Sequence, residues 1–388
     1  MSNARTYLDF NATAPLRPEA RAAVIAALDY PGNASSVHHE GRDARALIER
    51  ARRDVATLAG RPAGGVVFTS GGTEAANLAL TPSLRIGKDQ RDFDLLLVSA
   101  GEHPCVLGGH RFAAEQVLLL PLEPSGRVDL AALDRVLAEK TGQRPLLALQ
   151  AANNETGIVQ PVAEAAAKVR AVGGATVCDA VQAFGRIPCS VESIGADVLI
   201  LSAHKLGGPK GAGALVFADE NDHIGHVLVR GGGQERGQRA GTENVAAIAG
   251  FGAAARIAAS AMDADAEHTR GLRDRLEEAA LQIAPEAMIF GADVERLPNT
   301  TCFAVPGTSA ETLLMALDLH GVAVSSGSAC SSGKVGKSHV LAAMGVDPAL
   351  ASGAIRVSFG WSSRETDVEH FARAFDVAIE RIQRRHAA

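Results

Sequence analysis

The chain has 388 residues, 47% of them apolar, and a formal net charge of -6 at neutral pH. That length supports a large core and about two domains, and the acidic balance excludes a broad basic field, so neither nucleic acid nor an anionic membrane surface is expected as a partner. The opening MSNARTYLDF lacks the apolar centre of a signal peptide and no apolar run is expected to span a bilayer, which makes the cytoplasm the default compartment.

In chain order, short apolar runs alternate with Ala-rich helical stretches. GVVFTS precedes a helix from about Thr73, DLLLVSA precedes a helix after Pro104, and PLLALQAAN precedes a helix over Val162 to Val172. ATVCDA, ADVLILSA and GALVFA continue the series. This alternation predicts an α/β fold, a mainly parallel sheet with helices on both faces. A long helical region then runs from GTENV to LQIA without a strand signal, and isolated strands such as NTTCFAV and GAIRVSFG follow among helices, the pattern of a smaller α+β domain. The expected division is a large domain over 16–255 and a small one from 1–15 and 256–388.

Ligands of an open α/β sheet sit beyond the carboxyl ends of its strands, and here those ends are polar. Ser70, Gly71, Gly72 and Thr73 open a helix after VVFT, a turn whose free N–H groups suit a phosphate, although taken alone it is also a glycine turn with a Thr cap. No GK[ST] follows, which disfavours a nucleoside triphosphate. His103 follows LLLVSA, a place where a lone histidine is more often a satisfied structural residue. Asn153 and Asn154 follow LLALQAA. Asp179 follows ATVC, where a carboxylate needs a cationic partner, with Gln182 soon after. Lys205 ends the run ADVLILSA, where its charge is hard to solvate. An anion cradle, a carboxylate to hold a pyridine nitrogen protonated, a ring-stacking histidine and a nucleophilic lysine are the set pyridoxal phosphate requires.

The five cysteines are scattered and show no metal spacing, so neither a disulfide framework nor a metal site is expected. Cys178 and Cys302 lie in apolar runs and read as packing residues. Cys330, in SSGSACSSGK, is surrounded by Ser and Gly and reads as part of a loop.

Over nearly its whole length the sequence resembles the cysteine desulfurases of the NifS/IscS-like branch, within the class V aminotransferase superfamily of fold-type I pyridoxal phosphate enzymes. YLDFNATAPLRPEA, GNASSVHHEGR, FTSGGTEAANLA, GEHPCV, NNETGIVQP, DAVQAFG, SAHKLGGPKGAGAL, GGGQERGQRAGTEN, SSGSAC and RVSFG carry the resemblance in the family's order. It implies a seven-stranded large-domain sheet, Lys205 as the lysine that bonds the cofactor, and Ser202 and His204 beside it holding the phosphate or the lysine. It further implies that Gly72 and Thr73 bind phosphate, that His103 stacks on the pyridine ring, that Asp179 pairs with its nitrogen and that Gln182 reaches its phenolic oxygen. Asn154 and Arg356 would hold the substrate carboxylate, a task for which a planar guanidinium is suited; without the motif Arg356 would read as a solvated strand residue.

Thr242 resembles a residue that reaches the neighbouring subunit's phosphate, which implies a homodimer. Cys330 would attack the sulfur of L-cysteine, releasing alanine and keeping a persulfide for an iron–sulfur scaffold, a sulfur relay or thio-cofactor synthesis. A selenocysteine lyase or another class V aminotransferase reaction is the alternative, and a non-catalytic assembly subunit a further one. Phe10 and Thr156 depart from common residues at their positions, and the chain stops at RIQRRHAA. The longer tail with which housekeeping members dock a scaffold is therefore not expected.

Overall fold

The computed structural model describes residues 5–88, 90–326 and 337–387. Two helices come first, α1 (Pro18–Leu28) and α2 (His39–Leu58), α1 opened by a proline that pre-sets the helical turn. The large sheet follows, from apolar runs four or five residues long. Its strands are β1 (Val66–Thr69), β2 (Leu95–Ser99), β3 (Val117–Leu120), β4 (Pro145–Ala148), β5 (Ala175–Asp179), β6 (Val198–Ser202) and β7 (Gly213–Phe217). Six of the seven are buried throughout, the form taken by strands covered on both faces, whereas β3 is an edge strand that exposes Leu119.

The order is β1-β7-β6-β5-β4-β2-β3; every pairing is parallel except those of β7, which runs antiparallel to both β1 and β6. This is the mainly parallel sheet expected from the pattern, with the seven strands that the resemblance implied. Connecting helices are α3 (Gly72–Ala79), α4 (Pro104–Leu107), α5 (Leu130–Glu139) and α6 (Val162–Ala171). The helix expected after Pro104 is thus a single turn, stopped by Gly108 and Gly109.

A 39-residue helix, α7 (Val245–Ile283), leaves this sheet, capped by the Asn244 side chain on the Ala247 N–H at 3.1 Å. By length and composition it could cross a bilayer, which corrects the expectation that no apolar run is long enough. Ala and Gly, more than large aliphatics, make this stretch apolar. Half of its most apolar stretch is buried. A Cβ at Gly250 would lie 2.5 Å from Val24 of α1, and one at Gly252 2.4 Å from the Ala51 backbone of α2, so the helices touch through these glycines. Phe251, Ala254, Ala255 and Ala258 pack in the large-sheet core, while Leu272, Leu276 and Ala280 pack in a second core.

That second core covers a smaller antiparallel sheet: β8 (Met288–Ile289), β9 (Thr300–Ala304), β10 (Ser325–Ser326) and β11 (Ile355–Ser358), in the order β8-β9-β11-β10. Residue 255 lies inside α7. The N-terminal segment pairs Thr6 and Tyr7 with Val322 and Ala323, then bridges Asp9 to Ser358, and so arrives at the carboxyl end of β6.

Candidate functional site

The carboxyl ends of the parallel strands and the start of antiparallel β7 share one edge, which gathers the polar residues that follow each run. At β1, Gly72 and Gly213 sit at close approaches: a Cβ on Gly72 would stand 3.1 Å from Val181 and 3.5 Å from Ser202, and a Cβ on Gly213 would stand 2.5 Å from the Gly71 backbone. No side chain caps α3 at Gly71, so its first-turn N–H groups face the site without a protein acceptor there. Thr73 is exposed and its hydroxyl hydrogen-bonds the Cys105 side chain. An anion fits this turn.

Lys205 closes the short turn after β6, and its Nζ donates to the carbonyls of Asn11 at 2.6 Å and Ala12 at 2.9 Å. Asp179 ends β5 buried, accepting the Val181 N–H at 2.9 Å; burial raises its carboxyl to about 6, against the Val181 hydrogen bond and the Lys205 charge, which lower it. His103 caps α4, its Nδ1 accepting the Cys105 N–H at 3.1 Å. Burial, then Lys205 and His339, lower the ring to about 4, so the imidazole is neutral at pH 7. His204 is likewise lowered to about 4, by burial and then the charges of Lys205, Lys210 and Arg186, and its Nδ1 meets the Thr13 hydroxyl at 3.2 Å.

Gln182 is tied into a network under the lysine. Its Nε2 donates to the Asn11 carbonyl at 3.1 Å, and its Oε1 accepts from Arg186, which also donates to Asn11 Oδ1 at 2.7 Å and the Lys205 carbonyl at 3.0 Å. Burial and the neighbouring Arg356 lower the Arg186 guanidinium to about 9.

Arg356, on β11, is 2% exposed. Its Nη2 pairs with Asp9 at 2.6 Å and its Nη1 donates to the Asn154 carbonyl at 2.9 Å, while the buried Nε has no partner among the described residues. A guanidinium with an unsatisfied buried donor suits an incoming carboxylate. Asn154 contributes its carbonyl here, and Asn11 Nδ2 also reaches it at 3.3 Å.

Sequence reasoning assigned no role to Asp9, Asn11, Glu102, Arg186 or His339. Glu102 is fully buried: Oε1 accepts the Gln150 N–H at 2.6 Å, Oε2 has no partner, and burial followed by the charge of Asp179 pushes the acid well above its ordinary range. His339 Nε2 donates to the Glu102 carbonyl, 2.9 Å away. The signal for Asp9, Asn11 and Glu102 was present in YLDFNATAP and GEHPCV, beside residues that were chosen. Thr156 keeps its place by donating to Asn153 Oδ1 at 3.2 Å, and Phe10 is buried against Gly360.

Gly72, Ser202, His103, Asp179, Gln182, His204, Lys205, Asn154 and Arg356 therefore line one connected region. Thr242 stands apart from it, exposed in the loop before α7. Cys330 lies outside the described residues. Cys178 and Cys302 are buried free thiols, as their runs suggest.

Residues 6–371 match the family model for aminotransferase class-V. A cysteine desulfurase of Sinorhizobium fredii is 39% identical over 383 residues, covering 97% of each chain, and the cysteine desulfurase IscS of Dictyoglomus turgidum is 37% identical, covering 97% of this chain and 95% of that protein. Among solved structures, a NifS-like protein from Rickettsia africae superposes with a TM-score of 0.87 at 34% identity, over 97% of this chain and 99% of that one. SspA in complex with cysteine superposes at 0.76 with 27% identity, over 92% and 99%.

Proposed function

Because the chain belongs to the aminotransferase class-V family and is a cysteine desulfurase, we propose that it takes sulfur from L-cysteine with pyridoxal 5'-phosphate at the β-strand edge around Lys205, and passes that sulfur on through Cys330. Family members depend on this cofactor, and the residues present fit it. When bound, it supplies an electron sink for the α-carbon of the amino acid.

The chain's own groups have separate tasks in this reading. The first turn of α3, with Gly72, Thr73, Ser202 and His204, holds the phosphate. Asp179, ionised above about pH 6, pairs with the ring nitrogen. Neutral His103 stacks on the ring and is available to take a proton at the substrate thiol. Gln182 reaches the phenolic oxygen. Arg356 and Asn154 take the substrate carboxylate, which satisfies the Nε that Asp9 and the Asn154 carbonyl leave open. Lys205 Nζ, poised on two backbone carbonyls, is the amine that would hold the cofactor and would move the α-proton of the substrate. The Cys330 thiolate would attack the substrate sulfur; the carbon–sulfur bond breaks with its electron pair going to the carbon fragment, a sulfur–sulfur bond forms on Cys330, and the fragment takes up a proton at that carbon before leaving as alanine.

The further parts of the reading are a homodimer in which Thr242 serves the neighbouring subunit's phosphate, a sulfur-acceptor protein, and a cytoplasmic setting. The free thiols at Cys105, Cys178, Cys189 and Cys302 support the last. A large unit over 16–255 and a small one from 1–15 and 256–388 belong to it too, supported by the two separate cores.

One observation carries the proposal: Lys205, buried Asp179 and an Arg356 with an open donor occupy one connected region. Incubation with L-cysteine, followed by mass spectrometry for free alanine and for added sulfur on the Cys330 peptide, tests it. Cys330→Ser is expected to keep the cofactor's visible absorption and make no alanine; full activity in that variant overturns the role. Lys205→Ala is expected to lose that absorption.

A further inference from the structure

The segment Gln234–Arg239 has no task in the chemistry above, yet its backbone is strained. Glu235 and Arg236 both lie in the left-handed region, at φ 46 and 56, and neither is glycine. Such geometry persists where surrounding groups over-determine it. Two anchors do so. Glu235, its side chain 2% exposed, sets both carboxylate oxygens on Arg52 at 2.7 and 2.8 Å and takes the Phe68 N–H at 2.8 Å. Arg236 donates to the Val66 carbonyl at 2.9 Å, which Arg52 also reaches. Val66 and Phe68 belong to edge strand β1, so these side chains satisfy backbone groups that the sheet leaves open.

The second anchor is Arg239, whose Nε donates to Glu74 Oε1 at 2.8 Å and whose Nη2 lies 3.4 Å from Oε2. Glu74 is in the first turn of α3 and accepts the Ser70 N–H at 2.9 Å. The segment therefore clasps the strand, turn and helix that form the phosphate cradle, and exposed Thr242 follows three residues later.

We propose that Glu74 and Arg239 are positioning residues that act across a dimer, fixing the loop from which Thr242 reaches the neighbouring subunit's cofactor phosphate. This rests on the dimeric reading of Thr242 given above. A threonine on a loose loop would lose ordering entropy for each hydrogen bond it delivers; a loop already tied at residue 239 has little left to lose. Arg239 also neutralises a carboxylate that would otherwise face the phosphate from the same helix turn, an effect confined to its own chain. The two effects are separable.

The test follows pyridoxal phosphate uptake by the apoprotein through its visible absorption, with dimer state checked by sedimentation. Thr242→Ala, Arg239→Gln and Glu74→Gln homodimers are each expected to bind the cofactor about tenfold more weakly, the scale of one lost hydrogen bond to a charged group. Mixed dimers then locate the effect, since Lys205→Ala silences one site. Pairing an Arg239→Gln subunit with a Lys205→Ala subunit leaves the visible site served by a braced loop, and a smaller loss than in the Arg239→Gln homodimer is expected, namely the part that comes from Glu74 left unneutralised in its own chain. Pairing an unaltered subunit with one carrying both substitutions leaves it served by an unbraced loop, and the tenfold loss is expected. The reverse pattern, or equal affinities, overturns the proposal. Weakening by Thr242→Ala with none by Arg239→Gln or Glu74→Gln removes the brace alone, whereas unchanged affinity in Thr242→Ala removes the dimeric reading beneath it.

Discussion

Asp179 shows how a functional charge is held against the interest of the fold. Its carboxyl is raised to about 6 by burial, so between the unfolded value of 3.8 and 6 the folded chain binds a proton that the unfolded chain has released. Stability contributed by that proton is present at low pH and is lost as pH rises through this window. In the apoprotein, Asp179→Asn is therefore expected to be the more stable form at pH 8 by about 2–3 kcal/mol, and the gap to close towards pH 4, as read by urea denaturation. The same substitution removes the charge that meets the ring nitrogen. Cofactor affinity is expected to fall as pH drops through about 6 in the unaltered protein, and to lack that step in Asp179→Asn. Arg356→Lys, which keeps charge but not the planar fork, is expected to raise KM for cysteine tenfold or more through a loss of about 1.5–3 kcal/mol, measured by alanine release. Asp179, Lys205 and His103 stood out because each lies at or within a few residues of the end of an apolar run. Glu102 and Asn11 stand in equally distinctive stretches, but their partners, Gln150, Thr300 and Arg186, come together only through the fold, so what they do could not be read there.

At the scale of elements, the cradle is a strand, a turn and a helix pressed against β7. Gly213→Ala would put a Cβ 2.5 Å from the Gly71 backbone, and backbone cannot swing aside as a side chain can. It is expected to destabilise the protein by about 1–3 kcal/mol and to weaken cofactor uptake, seen by thermal melting and absorbance titration. Six of the seven strands of the large sheet announced themselves in the sequence through apolar runs; β3, VLLL, was not in that series. The pairs Thr6–Tyr7 with Val322–Ala323, and strand β10, did not, since two residues carry no period. The bend at Glu235 and Arg236 was hidden for a different reason: left-handed backbone is announced by glycine, and here ion pairs impose it.

For the whole molecule, α7 is the decisive element. It runs about 58 Å at 1.5 Å per residue, with one end in the core of the large sheet and the other in that of the small one. The change from alternating elements to isolated strands was readable along the chain, but where one core passes into the other was not, because Ala-rich helix continues through residue 255 without a break. A rod seated at both ends acts as a common axle, and neither assembly can let go of it alone. Calorimetry is expected to record one melting event instead of two, and a protease cut midway along the rod to leave no surviving half.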